Sequence, residues 1–175
     1  MDLYMRMISI LEIVHDTMVD GPGFRTSIYC AGCPNACSGC HNPQSWDIRH
    51  GTLMTTAAIM REIVSDPFAN VTFTGGDPMF QPEGFLELAM AIKHETKKTI
   101  WCYSGFVFES LMKKEVSCRL LENIDVLVDG PFIETQKDND LIFRGSRNQR
   151  LIDIKRSLKE KTVVLLNYNP KGDFL

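Results

Sequence analysis

The chain has 175 residues, 44% of them hydrophobic and 23% charged, with a net charge of −3 and a pI of about 5.8. These values suit one globular domain spanning 1–175 with a sizeable core, and they argue against a nucleic-acid binder, which carries a basic excess. No stretch approaches the ~18 apolar residues of a membrane span.

The N-terminus, "MDLYMRMISILEIVHD", carries acids at Asp2, Glu12 and Asp16 and lacks the basic start and cleavage site of a signal peptide. A cytoplasmic setting is therefore expected. In a reducing compartment the clustered cysteines are read as metal ligands or redox groups before structural disulfides.

Two β-prone runs open the chain, "MISILEIV" (7–14) and "RTSIYCAG" (25–32), with the turn signal "DGPG" (20–23) between them. A loop rich in Cys, Gly, Pro and Asn follows. A helix is predicted over 55–65, where Ala57, Met60, Ile63 and Val64 recur at helical spacing behind a threonine cap. "NVTFT" (70–74) reads as a strand ending in "GGDP" (75–78), and a helix follows over 82–94, with Pro82 in its first turn. "TIWCY" (99–103), "DVLVD" (125–129) and "TVVLL" (162–166) read as strands, and "FVFESLMKK" (106–114) as a helix.

Strands alternating with helices imply right-handed crossovers and a mostly parallel sheet. A closed eight-fold barrel takes ~250 residues, so the expectation is an α/β fold built as a partial, open parallel β/α barrel. Chemistry in such sheets gathers at the carboxyl ends of the strands. Three segments fall there: the cysteine loop after 25–32, "GGDP" after 70–74 and "DGPF" after 125–129.

"CAGCPNACSGCHNPQSWD" places Cys30, Cys33, Cys37 and Cys40 within eleven positions. All four together suit a closed zinc site. The last three alone give C-x3-C-x2-C and suit an iron–sulfur cluster one ligand short, with Cys30 a buried strand residue on the side of Ile28. Spacing favours the cluster without removing the zinc alternative. The sequence contains no G-x-G-x-x-G, P-loop, H-E-x-x-H or G-x-S-x-G motif.

C-x3-C-x2-C followed at the next strand end by "GGDP" resembles the radical S-adenosylmethionine superfamily. "DGPGFRTSIYCAGCPNACSGCHNPQSW" is similar to its glycyl-radical-enzyme activating branch. "IWCYSGF", "DVLVDGPF" and "RGSRNQR" resemble the activators of anaerobic ribonucleoside-triphosphate reductase, over about residues 8–155.

The resemblance implies a 4Fe-4S cluster on Cys33, Cys37 and Cys40, whose fourth iron chelates the methionine end of S-adenosylmethionine. An electron then splits the sulfonium, and the resulting 5′-deoxyadenosyl radical takes a Cα hydrogen from a glycine of the partner enzyme. Such chemistry is carried by the cofactors and positioned by the protein. The implied partners are anaerobic ribonucleoside-triphosphate reductase and an electron donor such as flavodoxin or ferredoxin, with neither nucleic acid nor membrane.

Gly39 and His41 would lie beside the adenine. Gly75, Gly76 and Asp77 would meet the methionine end, and Ser104 and Asp129 would line the same pocket. Each has a plainer alternative: loop histidine for His41, turn cap for Asp77, turn aspartate for Asp129. Trp101 and Tyr103 are expected in the core, and Cys102 and Cys118 as buried thiols. "DGPGFR" (20–25) reads either as a hairpin turn with Arg25 solvated or, by the resemblance, as lying near the docked glycyl loop. Arg144, Arg147 and Arg150 read as a solvated basic face with a partner contact as the alternative.

Overall fold

The two opening runs pair as an antiparallel hairpin, β1 (Met7–Thr17) and β2 (Arg25–Cys30), with Thr17 opposite Arg25 across the 20–23 turn. The computed structural model describes residues 5–168. Five more strands complete the sheet: β3 (Thr52–Thr55), β4 (Asn70–Gly75), β5 (Ile100–Tyr103), β6 (Val126–Asp129) and β7 (Arg150–Asp153). Their order is β3-β1-β2-β4-β5-β6-β7. The pairings β2–β4, β4–β5 and β5–β6 are parallel, whereas β3, β1 and β7 join antiparallel. The sheet is therefore mixed, which corrects the mostly parallel expectation at both edges.

Among the described residues five α-helices accompany it: α1 (Thr56–Ser65), α2 (Pro82–Glu95), α3 (Phe108–Leu111), α4 (Glu115–Leu121) and α5 (Ile154–Glu160). The Thr55 hydroxyl caps α1 by accepting from Ala58 N at 3.1 Å. The single helix expected over 106–114 is two. Lys113 and Lys114 bond three residues back, Lys114 takes extended backbone, and α4 restarts so that Leu120 and Leu121 reach the core.

Two-residue alternation sorts the strand side chains by face. Ile28, Cys30, Val71, Phe73, Ile100, Cys102, Leu127 and Ile152 pack with residues from all five helices, among them Ile63, Phe85, Phe108, Leu120 and Leu158. Trp101, Val126, Val128 and Leu151 form a second cluster on the opposite face, with Tyr103, Phe143 and Tyr168 against it. Trp101 and Cys102 are buried as expected, whereas the Cys118 thiol is only half-buried.

The expected last strand over 162–166 is a correction. Only Leu165 bridges to Ile152, and the Val164 N–H turns instead to the Ser157 hydroxyl at 2.9 Å. The edge is β7, four residues with charged ends and too short to show a period in sequence.

Arg25 is a second correction. It is fully buried, and its guanidinium donates to Thr72 Oγ1 (2.6 Å) and to the carbonyls of Val71 (2.6 Å) and Pro22 (3.2 Å), beneath the Trp101 ring. Loss of solvent pulls it down to about 10. The alternative with Arg25 solvated is thereby removed. Among the described residues no helix is long and apolar enough to cross a membrane.

Candidate metal centre

The parallel register brings the carboxyl ends of β2, β4, β5 and β6 side by side: Cys30 pairs with Gly75, Phe73 with Cys102, and Tyr103 with Val128. The loops that leave these ends are bonded to one another. Gly76 N donates to Cys30 O at 2.7 Å and Asp77 N to Gly32 O at 2.8 Å, so "GGD" is stitched to the start of the cysteine loop. The loop closes on itself through Gly32 N to Ser45 O (2.7 Å) and Cys33 N to Trp46 O (3.1 Å).

The four clustered cysteines separate into two kinds. Cys30 is fully buried in β2, and burial pushes its thiol far up. Cys33, Cys37 and Cys40 are half-buried and unpaired by disulfides. Ala36 (φ 42°) and Gly39 (φ 72°) turn the backbone through the left-handed region between them, and Cys40 N closes on Cys37 O at 3.2 Å.

N–H groups face two of the three sulfurs. Asn42 N lies 3.4 Å from Cys40 Sγ and Asn35 Nδ2 lies 3.8 Å from Cys33 Sγ. Burial raises the Cys33 thiol, and the Asn35 N–H groups oppose that rise. Among the described residues no three His, Cys, Asp or Glu side chains gather as around a single metal ion. Three half-buried thiols on one turned loop, with N–H donors to the sulfurs of Cys33 and Cys40, fit a cluster in which each thiolate takes its own iron. Cys30 faces the hydrophobic core and offers that loop no fourth ligand.

The glycines of "GGDP" do more than the sequence suggests. At Gly75 (φ 95°) a Cβ would stand 2.5 Å from Cys30 N, and at Gly76 it would stand 2.5 Å from Gly32 O. The backbone that approaches closely here is the chain's own.

Asp77 is fully buried and its carboxylate is occupied within the protein. It accepts from Met79 N (3.0 Å), Ser104 Oγ (2.9 Å), Gly105 N (3.0 Å) and Asn35 Nδ2 (3.2 Å). Burial lifts its carboxyl up to about 6, against the pull of those bonds. The turn-cap alternative is thus present, and the carboxylate also joins three strand-end loops. Ser104 is buried as part of this network, and its N–H bonds Val128 O at 2.9 Å.

Asp129 is likewise fully buried and engaged, accepting from Phe108 N (2.8 Å) and from Arg150 Nε (2.9 Å). Arg150 is therefore not part of a free basic face, although Arg147 stays largely exposed, 3.7 Å from Asp138. His41 is exposed on the rim beside Cys40.

Two contributors escaped the sequence reading. Asn35 bridges the cysteine loop to Asp77, and Glu134 accepts from Ser38 Oγ at 2.7 Å and covers Gly39, where a Cβ would stand 2.9 Å from its carboxyl carbon. Neither position belongs to a spacing pattern that could have announced it.

Residues 19–152 match the family model described as a 4Fe-4S single cluster domain. The anaerobic ribonucleoside-triphosphate reductase-activating protein of Haemophilus influenzae is 33% identical over 148 residues, covering 79% of this chain and 94% of that protein. The chain belongs to this activating-protein family. Other members are similar to the same degree. That of Escherichia coli K12 is 33% identical over 75% of this chain and 90% of its own length, and that of Vibrio cholerae 35% identical over 75% and 89%. Each match covers nearly all of the other activating protein.

Proposed function

We propose that this chain is a radical S-adenosylmethionine oxidoreductase that installs a glycyl radical on anaerobic ribonucleoside-triphosphate reductase, the enzyme that its relatives are named as activating. The carrying observation is the division of the cysteines: three half-buried thiols on a loop stitched to "GGD", with the fourth sealed in the core. Cys33, Cys37 and Cys40 hold one 4Fe-4S cluster and leave one iron for a small molecule. When bound, the cluster and S-adenosylmethionine supply an electron and a deoxyadenosyl group for abstraction of a glycine Cα hydrogen.

The protein's part is to place these groups and exclude water. The exposed His41 ring and the Gly39 backbone flank the adenine. The strand end at Gly75 and Gly76 carries the methionine end. Asp77, with no free face, acts as a positioning residue through Ser104, Gly105 and the cysteine loop. Asp129 shapes the far wall through its pair with Arg150. With all five helices against one sheet face, the fold is read as an open β/α barrel with these loops at its mouth. A small flavodoxin- or ferredoxin-type protein delivers the electron in the cytoplasm.

The test is anaerobic purification followed by iron and sulfide analysis, then reduction with S-adenosylmethionine and the reductase. About four iron and four sulfide per chain are expected, with a glycyl-radical signal on the reductase in electron paramagnetic resonance. One zinc without iron overturns the centre, and a radical formed only on pyruvate formate-lyase overturns the partner.

A further inference from the structure

Asn35 lies between two cluster-ligand candidates, at a position for which the C-x3-C-x2-C spacing asks nothing. Its Nδ2 stands 3.2 Å from Asp77 Oδ2 and 3.8 Å from Cys33 Sγ. Both neighbours are acceptors, so the amide must turn its NH2 group, not its oxygen, toward them. The two amide protons then have one acceptor each.

The seat for this amide is prepared from the opposite side. A Cβ on Gly105 would stand 2.1 Å from Asn35 Nδ2 and 2.8 Å from Asn35 Cγ. Gly105 N donates to the same Asp77 oxygen at 3.0 Å. The missing side chain at Gly105 is thus matched to the side chain at Asn35, and the strand end of β5 and the cysteine loop meet through that contact.

We propose that Asn35 is a positioning residue that fixes the Cys33 sulfur against the Asp77–Ser104–Gly105 network and, through its N–H groups, sets the reduction potential of the cluster. This rests on the reading of Cys33 as a cluster ligand. Reduction adds negative charge to the cluster and its thiolates. An N–H aimed at a thiolate sulfur strengthens as that charge grows, so it favours the reduced state and raises the potential. Outer-shell partners of ligands also govern how firmly a metal centre is held, and their loss costs roughly 10–100-fold. Asn35 acts on both properties through one sulfur, and its second proton ties that sulfur to the strand end carrying Gly75 and Gly76.

The test uses the full chain, loaded anaerobically with cluster. Asn35→Leu keeps the shape and removes both side-chain donors. Its cluster should titrate at a more negative potential, followed by electron paramagnetic resonance, and should lose iron to a chelator about 10-fold faster than wild type. Gly105→Ala leaves Asn35 intact but takes its seat, and should shift both readouts in the same direction. It decides the matter if Asn35→Leu does not fold. A folded, fully loaded variant of either kind with wild-type potential and chelator half-life overturns the proposal. If Cys33→Ala retains a full cluster, the ligand reading beneath it falls instead.

Discussion

Arg150 holds the Asp129 carboxylate with two nitrogens, Nε at 2.9 Å and Nη2 at 2.5 Å, across the antiparallel pair β6–β7. Asp129 is fully buried, so the pair both closes the edge of the sheet and neutralises the carboxylate at the end of β6. Removing one member of such a pair leaves a buried charge uncompensated. Arg150→Ala should therefore destabilise the fold by about 3 kcal/mol in urea denaturation. The outer contact from Arg150 to the exposed Glu109 is a surface pair, and Glu109→Gln should cost no more than about 1 kcal/mol. Equal effects from the two variants would contradict this division.

Gly76 separates packing from ligand approach. An alanine there would put its Cβ 2.5 Å from Gly32 O and 3.0 Å from Ser45 O. Both are backbone atoms, so no flexible side chain can yield. The Asp77 N to Gly32 O bond at 2.8 Å would stretch, and the cysteine loop would move from the strand end. Gly76→Ala should cost about 1–3 kcal/mol and lower iron content on reconstitution. Gly23→Ala is the control, because Gly23 has φ 68° but open space around it. It should cost about 1–2 kcal/mol from backbone strain alone, with iron content unchanged.

What could be read from sequence was local. C-x3-C-x2-C is an eight-residue pattern, and the strand ends at Gly75 and Asp129 follow directly from β-prone runs closed by Gly or Asp. The interiors of α1 and α2 show their period because each packs one face on the sheet. What stayed hidden was set by distant partners. Arg25 is buried because Val71 O and Thr72 Oγ1, 46 and 47 residues away, receive its guanidinium. Asp77 looks like a ligand-facing acid until Ser104 and Gly105, 27 and 28 residues on, occupy it. A four-residue strand such as β7 carries too few alternations to show a period, whereas the apolar run at 162–166 reads as a strand in sequence and makes only an isolated bridge.

The Asp77 carboxyl predicts a pH dependence of the apo protein. Its folded-state value is raised by burial from 3.8 to about 6. Between those values the folded chain holds a proton that the unfolded chain has released. Stability is therefore fully present below about pH 4 and falls as pH rises through about 6. The two-unit shift corresponds to about 3 kcal/mol. On going from pH 4 to pH 7, wild type should lose stability relative to Asp77→Asn, whose side chain does not titrate, when denaturation midpoints of the two are compared at both values. An unchanged slope in the variant would assign the pH dependence elsewhere.

The cysteine division gives the most direct test of the centre. Cys30 is fully buried, pairs in register with Ile10 and Gly75, and packs with Ile28 and Val71 on the helix-covered face. Cys30→Ala removes one buried sulfur, and the loss should be about 1 kcal/mol from the small cavity left behind. The three half-buried thiols have no such packing role, so their replacement should hardly change the stability of the apo protein. Under a three-thiol cluster, Cys33→Ala, Cys37→Ala and Cys40→Ala should each lose most of the iron and the brown absorbance, while Cys30→Ala reconstitutes like wild type. Under a four-thiolate zinc site, all four substitutions would weaken metal binding together, and Cys30→Ala would stand with the others. Iron content and apo-protein stability thus move in opposite senses at Cys30 and at Cys33, and measuring both on each variant separates a buried strand thiol from a ligand.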